Sequence, residues 1–287
     1  MSLMSPQLQA FMAIAEHKTV HAAARAIHMT QTAVTQRIRV LEARLKTTLF
    51  VRTRAGMRLT SEGQALLRYC FSVSELEGET LASITGAAVD TTIRMVIAGP
   101  TSVMNSRVIH HCLPLMTTYP NLLLTFNIND IEDKVQLLRV GECQFAILER
   151  EAVMPEMEYK VLAPERYVLV CTKAWKHRSL QAIIGEERII DYDASDEMTF
   201  NYLRHYGLIE GARHDRHYVN RTDAMAMMLV AGSGYGVLTA EFSAPYVSQG
   251  QLHILNQGEI YENALALAWY KRPEPPGYFT ALIQAIS

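Results

Sequence analysis

The stretch "TQTAVTQRIRVLE", Thr30 to Glu42, has the apolar spacing of a helix and an unusual opposite face. Val34, Ile38, Leu41 and Leu45 recur at intervals of four, three and four, so they form one stripe that must be buried. At about 100° per residue, Thr32, Gln36 and Arg39 project nearly opposite that stripe, with Gln31 and Thr35 on its flank. These side chains exchange hydrogen bonds or carry positive charge, and none is an acid. A helix that is merely solvated usually mixes Glu with Lys on that face.

The segment around this helix is strongly basic. Residues 1–60 carry nine Lys or Arg against two acids, Glu16 and Glu42, for a net charge of +7, while the rest of the chain sums to −9. The overall charge of −2 hides this split, which suggests a small polyanion-binding module joined to an acidic body. With 287 residues, 49% of them hydrophobic, the chain is long enough for two or more domains. No apolar run is long enough to span a membrane, and the N-terminus lacks the pattern of a signal peptide, so a cytoplasmic location is expected. Cys70, Cys112, Cys143 and Cys171 are scattered without C-x-x-C spacing and read as reduced core thiols.

Three helices are expected before residue 50. Leu8, Phe11, Met12 and Ala15 form the first stripe; Thr19 is a candidate cap for a short alanine-rich helix, with Ala22, Ala23, Ala26 and Ile27 allowing close packing. Thr30 is a candidate cap for the third helix. A short helix, a tight turn and a longer polar-faced helix describe a helix-turn-helix, whose second helix meets base edges in the major groove. Leu49–Val51 and Met57–Leu59 read as a small hairpin around Ala55-Gly56. It carries Arg52, Arg54 and Arg58, whose guanidinium groups suit phosphate and narrow minor grooves.

The segments "AAARAIHMTQTAVTQRIRVLEARL", "LFVRT" and "RLTSEG", with Thr60 and Gly63 in the last, resemble the LysR-type transcriptional regulator family over most of residues 20–65. Two positions depart from the family pattern: Thr32 stands where many members have proline, and Gln36 where many have arginine. The resemblance implies an N-terminal all-α winged helix-turn-helix domain (1–60), a linker and dimerisation helix with a hinge (61–90), and an effector-binding domain (91–287). That last domain is expected to be α/β with two periplasmic-binding-protein-like lobes, one of about 91–163 and 265–287, the other of about 164–264. In the linker, Ser61 and Gln64 fit a capping box. Leu66, Cys70, Val73, Leu76, Leu81 and Ile84 form an apolar stripe that packs on its own chain or, as the resemblance implies, on a second subunit. "GAAVDTT", Gly86 to Thr92, reads as the hinge. A dimer or tetramer, a double-stranded DNA operator, RNA polymerase and a small-molecule effector are the expected partners.

Beyond residue 92 strands and helices alternate, which argues for α/β architecture. The strands are "TIRMVIA", "LLLTFNI", "CQFAILE", "RYVLVCT", "RIIDYD", "RHYVN", "YGVLTA" and "ALALAWYK"; helices are expected at 102–116, 131–140, 195–206, 222–231, 241–248 and 277–286. Ligands of open α/β sheets lie outside the C-terminal strand ends, often at helix N-termini. That rule selects Pro100, Thr101, Ser102, Asn129, Asp130, Glu149, Ser195, Thr222 and Asp223 as effector-binding candidates. Thr101 and Ser102 suit a carboxylate, and Asp130, Glu149 or Asp223 an ammonium. Ser102, Ser195 and Thr222 are equally good as plain helix caps. The segments "YVLVCTK" and "VNRTDAMAMMLVAGSGYG" resemble the branch of the family that senses basic amino acids, so an amino acid is the expected effector.

Other signals are set aside. "GSGYG", Gly232 to Gly236, follows a helix instead of a strand and reads as a helix terminator. The histidine clusters at 110–111 and 205–217 lack ligand-specific spacing, and no serine-hydrolase order is present. No metal, cofactor or catalysis is expected. Gln31, Thr32, Thr35 and Gln36 are assigned to base reading, and Arg37, Arg39, Arg52, Arg54 and Arg58 to phosphates or the minor groove. Two readings of other classes compete: an architectural or constitutive DNA-binding protein with a ligand-free cleft, and a solute-binding protein or enzyme with a basic appendage.

Overall fold

Helices α1 (Pro6–His17), α2 (Val20–Ala26) and α3 (Gln31–Leu45) each start on a side-chain oxygen. Ser5 accepts from the Leu8 amide, Thr19 from Ala22 and Thr30 from Ala33, each such cap contributing about 1 kcal/mol. Both expected threonine caps are in place. The α2–α3 turn is made by His28 in the left-handed region (φ 53°), and the Met29 amide closes α2 on the Ala24 carbonyl at 2.8 Å.

The computed structural model describes residues 4–54, 56–85, 92–131, 133–272 and 274–287, with the side chains at 75 and 78–85 left aside. Contacts divide the chain into two units. The first comprises the residues up to Met95 with Pro120–Leu124 and Gln136–Gln144; the second comprises Val96–Tyr119, Thr125–Val135 and Phe145–Ser287.

In the first unit Val34, Ile38 and Leu41 are buried with Phe11, Ile14, Leu49 and Phe50. Leu45 departs from the expected stripe and is 45% exposed, because the last turn of α3 runs past the core. In α2 the buried pair is Ala23 and Ala24, whereas the expected Ala26 is exposed. Strands β1 (Phe50–Thr53) and β2 (Gly56–Leu59) form the expected hairpin, with Phe50 opposite Leu59 and Arg52 opposite Met57. Gly56 is required there: a Cβ would sit 2.5 Å from the Lys18 carbonyl oxygen, and the Met57 amide donates to that same oxygen at 2.6 Å. The hairpin is thereby pinned to the end of α1.

Helix α4 (Ser61–Thr85) is capped one residue earlier than the S-x-x-Q pattern suggests. The Thr60 hydroxyl oxygen accepts from the Gly63 amide at 3.0 Å, while Ser61 is already helical and donates to Glu62. The apolar stripe of α4 divides. Cys70 is buried against α1–α3, Leu66 and Val73 are half-buried on the same core, and Leu76 is 56% exposed. Ala55, the side chains of Leu81 and Ile84, and hinge residues 86–91 lie outside the described residues.

The second part of the chain alternates as expected. After β3 (Ile93–Gly99), α5 (Thr101–Val103) passes through a π-helical segment (Met104–Val108) into α6 (Ile109–Thr118). Then come β4 (Leu122–Ile128), α7 (Lys134–Val140) and β5 (Phe145–Glu149). The next strand, β6 (Met157–Thr172), is far longer than the expected "RYVLVCT". Helix α8 (Leu180–Glu186), unforeseen, precedes β7 (Ile189–Asp191), α9 (Met198–His205), β8 (Arg216–Tyr218) and α10 (Thr222–Val230). The chain finishes with β9 (Gly236–Thr239), α11 (Ala240–Ser248), the unforeseen β10 (Leu252–Ile254), β11 (Tyr261–Tyr270) and α12 (Gly277–Ala285).

The main sheet runs β10-β6-β11-β5-β3-β4, with β9 also on β6. Strands β6 and β11 are shared between two groups. Met157–Leu162 and Glu165–Tyr167 of β6 pair with β11, which continues to β5; Tyr167–Thr172 pairs with β9 and β10. That second half is buried on both faces, as a covered strand requires. Leu169 and Cys171 face Ile183, Tyr202 and Leu203, while Val168 and Val170 face Met225, Leu229 and Leu252. All four cysteines are buried thiols outside any disulfide, and burial pushes the Cys171 thiol up to about 12. As the glycine run predicts, α10 ends at Val230 and Gly232 adopts φ 75°, with the Ser233 amide closing on the Met228 carbonyl.

Candidate nucleic-acid face and effector cavity

On α3, Gln31, Thr32, Gln36 and Arg39 are exposed and Thr35 is half-buried. Thr35 donates its hydroxyl proton to the Gln31 carbonyl at 2.8 Å, which commits that proton to its own helix. Gln31 is held by a partner that the sequence did not suggest: its Nε2 lies 3.0 Å from His21 Nδ1 on α2. The single acid of α3, Glu42, is turned away from this face, because its carboxylate accepts from the Leu49 amide at 2.8 Å. Arg37 is half-buried and reaches the Pro6 carbonyl at 3.5 Å, so it is less outward than its neighbours. In the hairpin Arg52 pairs with Met57 and Arg58 with Val51, which puts the two guanidinium groups on opposite faces, with Arg54 at the turn. All three are exposed.

The acidic second unit contains a cavity of about 360 Å³. It opens where the strand-end rule places it: Pro100 follows β3, Asp130 follows β4, Glu149 ends β5, and the loop 192–198 follows β7. Of the residues named as effector candidates, Pro100, Ser102, Asp130, Glu149 and Ser195 line it. Thr101 and Thr222 touch its wall through Asp130. Asn129 and Asp223 instead line a neighbouring depression, where Asp223 pairs with Arg221 at 3.0 Å and Asn129 Oδ1 accepts from the Ile131 amide.

The three hydroxyls that suit helix caps do not cap. Ser102 donates to Glu165, Thr222 donates to Asp130 at 3.1 Å, and Ser195 donates to Asp193 at 2.6 Å. Instead Asp130 caps α5 from a distance in sequence: its Oδ1 accepts from the Thr101 amide at 2.7 Å and its Oδ2 from the Thr101 hydroxyl at 2.8 Å. Tyr192 and Thr222 hydroxyls lie 2.7 Å apart and extend this network.

Six carboxylates line the cavity among the described residues: Asp130, Asp133, Glu149, Glu165, Asp193 and Asp196. Lys134 is the one basic side chain that lines it. Sequence reasoning missed Glu165, Tyr167 and Tyr192. Glu165 is 3% exposed, and burial raises its carboxyl pKa even though Ser102 and Tyr167 donate to it. Glu165 stands in the charge-mixed stretch "MEYKVLAPER", where nothing local set it apart from Glu158, Lys160 and Arg166.

One wall, the loop 192–198, is built around Arg216. Its guanidinium donates to Asp191 at 3.1 Å and to the carbonyls of Ala194 and Asp196 at 3.0 and 2.7 Å. Burial pushes the Asp191 carboxyl up to about 6, against the opposing pull of Thr199 and Arg216. The folded state therefore keeps this proton up to about pH 6, whereas an unfolded chain releases it near the ordinary 3.8. Ionisation costs the folded state on the order of 2–3 kcal/mol, so this group makes stability fall as pH rises from about 4 to about 6. In Asp191→Asn that component is expected to vanish, with the wild type losing stability relative to the variant across this window in chemical denaturation.

The first part of the chain, residues 6–64, matches the family of bacterial regulatory helix-turn-helix proteins of LysR type, and residues 91–287 match the LysR substrate-binding domain. The transcriptional regulator LysG of Mycobacterium tuberculosis is 26% identical over 250 residues, which is 85% of this chain and 80% of that protein. In fold, the crystal structure of ArgP from Mycobacterium tuberculosis superposes with a TM-score of 0.82 at 24% identity, covering 99% of this chain and 97% of that one. Full-length LysG from Corynebacterium glutamicum, solved with its bound effector Arg, superposes at 0.75 with 19% identity, covering 99% and 96%. A polar, acid-free helix face and basic hairpin in the first unit, a carboxylate-lined cavity in the second, and both family matches lead to one conclusion: the chain belongs to the LysR family of transcriptional regulators, with an N-terminal helix-turn-helix domain and a C-terminal effector-binding domain.

Proposed function

We propose that this regulator is a cytoplasmic, non-enzymatic switch whose effector is an organic cation bound in the 360 Å³ cavity. The observation that carries this is the lining among the described residues: six acids, one of them (Glu165) pushed towards its neutral form by burial, against one lysine. A cavity of that size holds a small metabolite, and so many acids in one space repel an anion and favour a cation. The bound Arg of the similar LysG carries a group of this kind.

In this reading residues 1–60 hold DNA, 61–90 link and dimerise, and 91–287 bind effector. Gln31, Thr32, Thr35 and Gln36 meet bases, with Arg37, Arg39, Arg52, Arg54 and Arg58 on the backbone. A dimer or tetramer, paired partly through the exposed Leu76, presents two recognition helices to two half-sites of double-stranded DNA. The effector acts by population shift, favouring one arrangement of the lobes.

A thermal-shift screen of the full-length protein tests the effector class. Ligand at a hundredfold excess over its Kd adds about 2.7 kcal/mol to native stability. Amines and guanidines are expected to raise the melting temperature, and dicarboxylates to leave it unchanged. Stabilisation by anions alone would overturn the proposal.

A further inference from the structure

An amino acid presents a carboxylate as well as an ammonium group, and a site for one needs donors for the other. Besides Lys134, which already has an interaction of its own, and Ser102, which donates to Glu165, the donors beside this cavity that suit a carboxylate are the amide at the start of α5 and the hydroxyls of Thr101 and Thr222. All three already bind a carboxylate, that of Asp130, at 2.7, 2.8 and 3.1 Å. Tyr192 is tied to the same chain through Thr222. The protein thus supplies, from its own side chain, the anion that an amino acid would bring. Displacing Asp130 would strip a carboxylate of its three donors beside the acids already in the cavity, which burial and like-charge repulsion both oppose.

What the rest of the lining offers is acidic acceptors separated by apolar surface; one of them, Glu165, is held towards its neutral form by burial until a cation arrives. Glu149 ends β5 and Glu165 lies on β6, on either side of β11: Leu265 is opposite Glu149, and Asn263 is opposite Glu165. Their backbones are therefore two strand spacings apart across the sheet and two residues apart along it, roughly 12 Å. Leu148, Leu265, Val237 and Met225 line the same space. Two acidic ends with an apolar middle match two ammonium groups on a methylene chain.

We infer that the effector is an aliphatic α,ω-diamine, a cation without a carboxylate, because Asp130 occupies the amide and hydroxyl donors at the starts of α5 and α10 that would otherwise hold one. This rests on the reading of the cavity as an organic-cation site, and it narrows that reading.

The test is isothermal titration of the full-length protein with two matched ligands, lysine and 1,5-diaminopentane, which differ only by the carboxylate. Arginine and 1,4-diaminobutane extend the series. The diamines are expected to bind at least tenfold tighter than the amino acids. In Asp130→Ala the donors are released and the order is expected to reverse, with lysine gaining tenfold or more. Asp130→Asn, which keeps the shape and loses the charge, is expected to narrow the gap. Lysine or arginine binding the wild type as tightly as the diamines would overturn the inference while leaving the cation reading intact. Binding of none of the four would overturn both. The wild-type comparison decides the matter even if a variant fails to fold.

Discussion

Phe11→Ala is expected to destabilise the N-terminal domain by about 3–5 kcal/mol, enough to unfold most of it. Phe11 is fully buried, and its ring lies 5.2 Å from that of Phe50 at the base of the hairpin. It also sits in the cluster that buries Ile14, Val34, Ile38, Leu41 and Leu49, so one side chain ties α1, α3 and the hairpin together. A domain of about sixty residues buries a modest fraction of its surface and has little stability to spare. Urea unfolding followed by circular dichroism, with DNA binding measured in parallel, reads the effect. Phe11→Leu, which leaves a smaller cavity, is expected to lose about a third as much. A loss below about 1 kcal/mol in Phe11→Ala would mean that the three elements are held together elsewhere.

The second large effect is expected from the triple replacement of Arg52, Arg54 and Arg58 by alanine. All three are exposed on a two-stranded hairpin, so their removal takes away charge without opening the core. Each phosphate contact adds about 0.9 to the slope of log affinity against log salt. Three contacts therefore flatten that slope by about 2.7 and weaken binding about a hundredfold at roughly 0.15 M salt. The loss should be the same on operator and random DNA, because phosphates carry no sequence information. Gln31→Ala is the contrast: it should reduce the preference for operator over random DNA by about 1–3 kcal/mol and leave the slope alone. A slope unchanged in the triple variant would remove the hairpin from the DNA interface. Equal loss on both DNAs for Gln31→Ala would remove it from base reading.

Where pattern reading fell short, local physics explains why. The first half of β6 was missed because "MEYKVLAPER" mixes charges with Pro164, which normally argues against a strand. In the structure the proline falls where the β6–β11 register shifts, opposite Asn263 to Leu265, a bulge that needs no amide from it. Strand β10 is three residues long and α8 seven, too short for a periodic signal. Leu45 matched the stripe of α3 but lies beyond the elements that bury it, because period reports a face and says nothing about where its cover ends.

The sequence by itself determined the helix-turn-helix and hairpin, the caps at Thr19 and Thr30, the charge division and the α/β alternation. Those features follow from residues within a turn or two of one another, where spacing dictates which side chains share a face. The tertiary structure alone decided what the hydroxyls of Ser102, Ser195 and Thr222 do. As caps each would have answered to its own helix; instead they answer to Glu165, Asp193 and Asp130. It also decided that Asp130 lies on the start of α5, 29 residues away, and that Glu165 joins the same cavity. Such partners are chosen by how strands from distant parts of the chain stack in one sheet, and no local period records that choice.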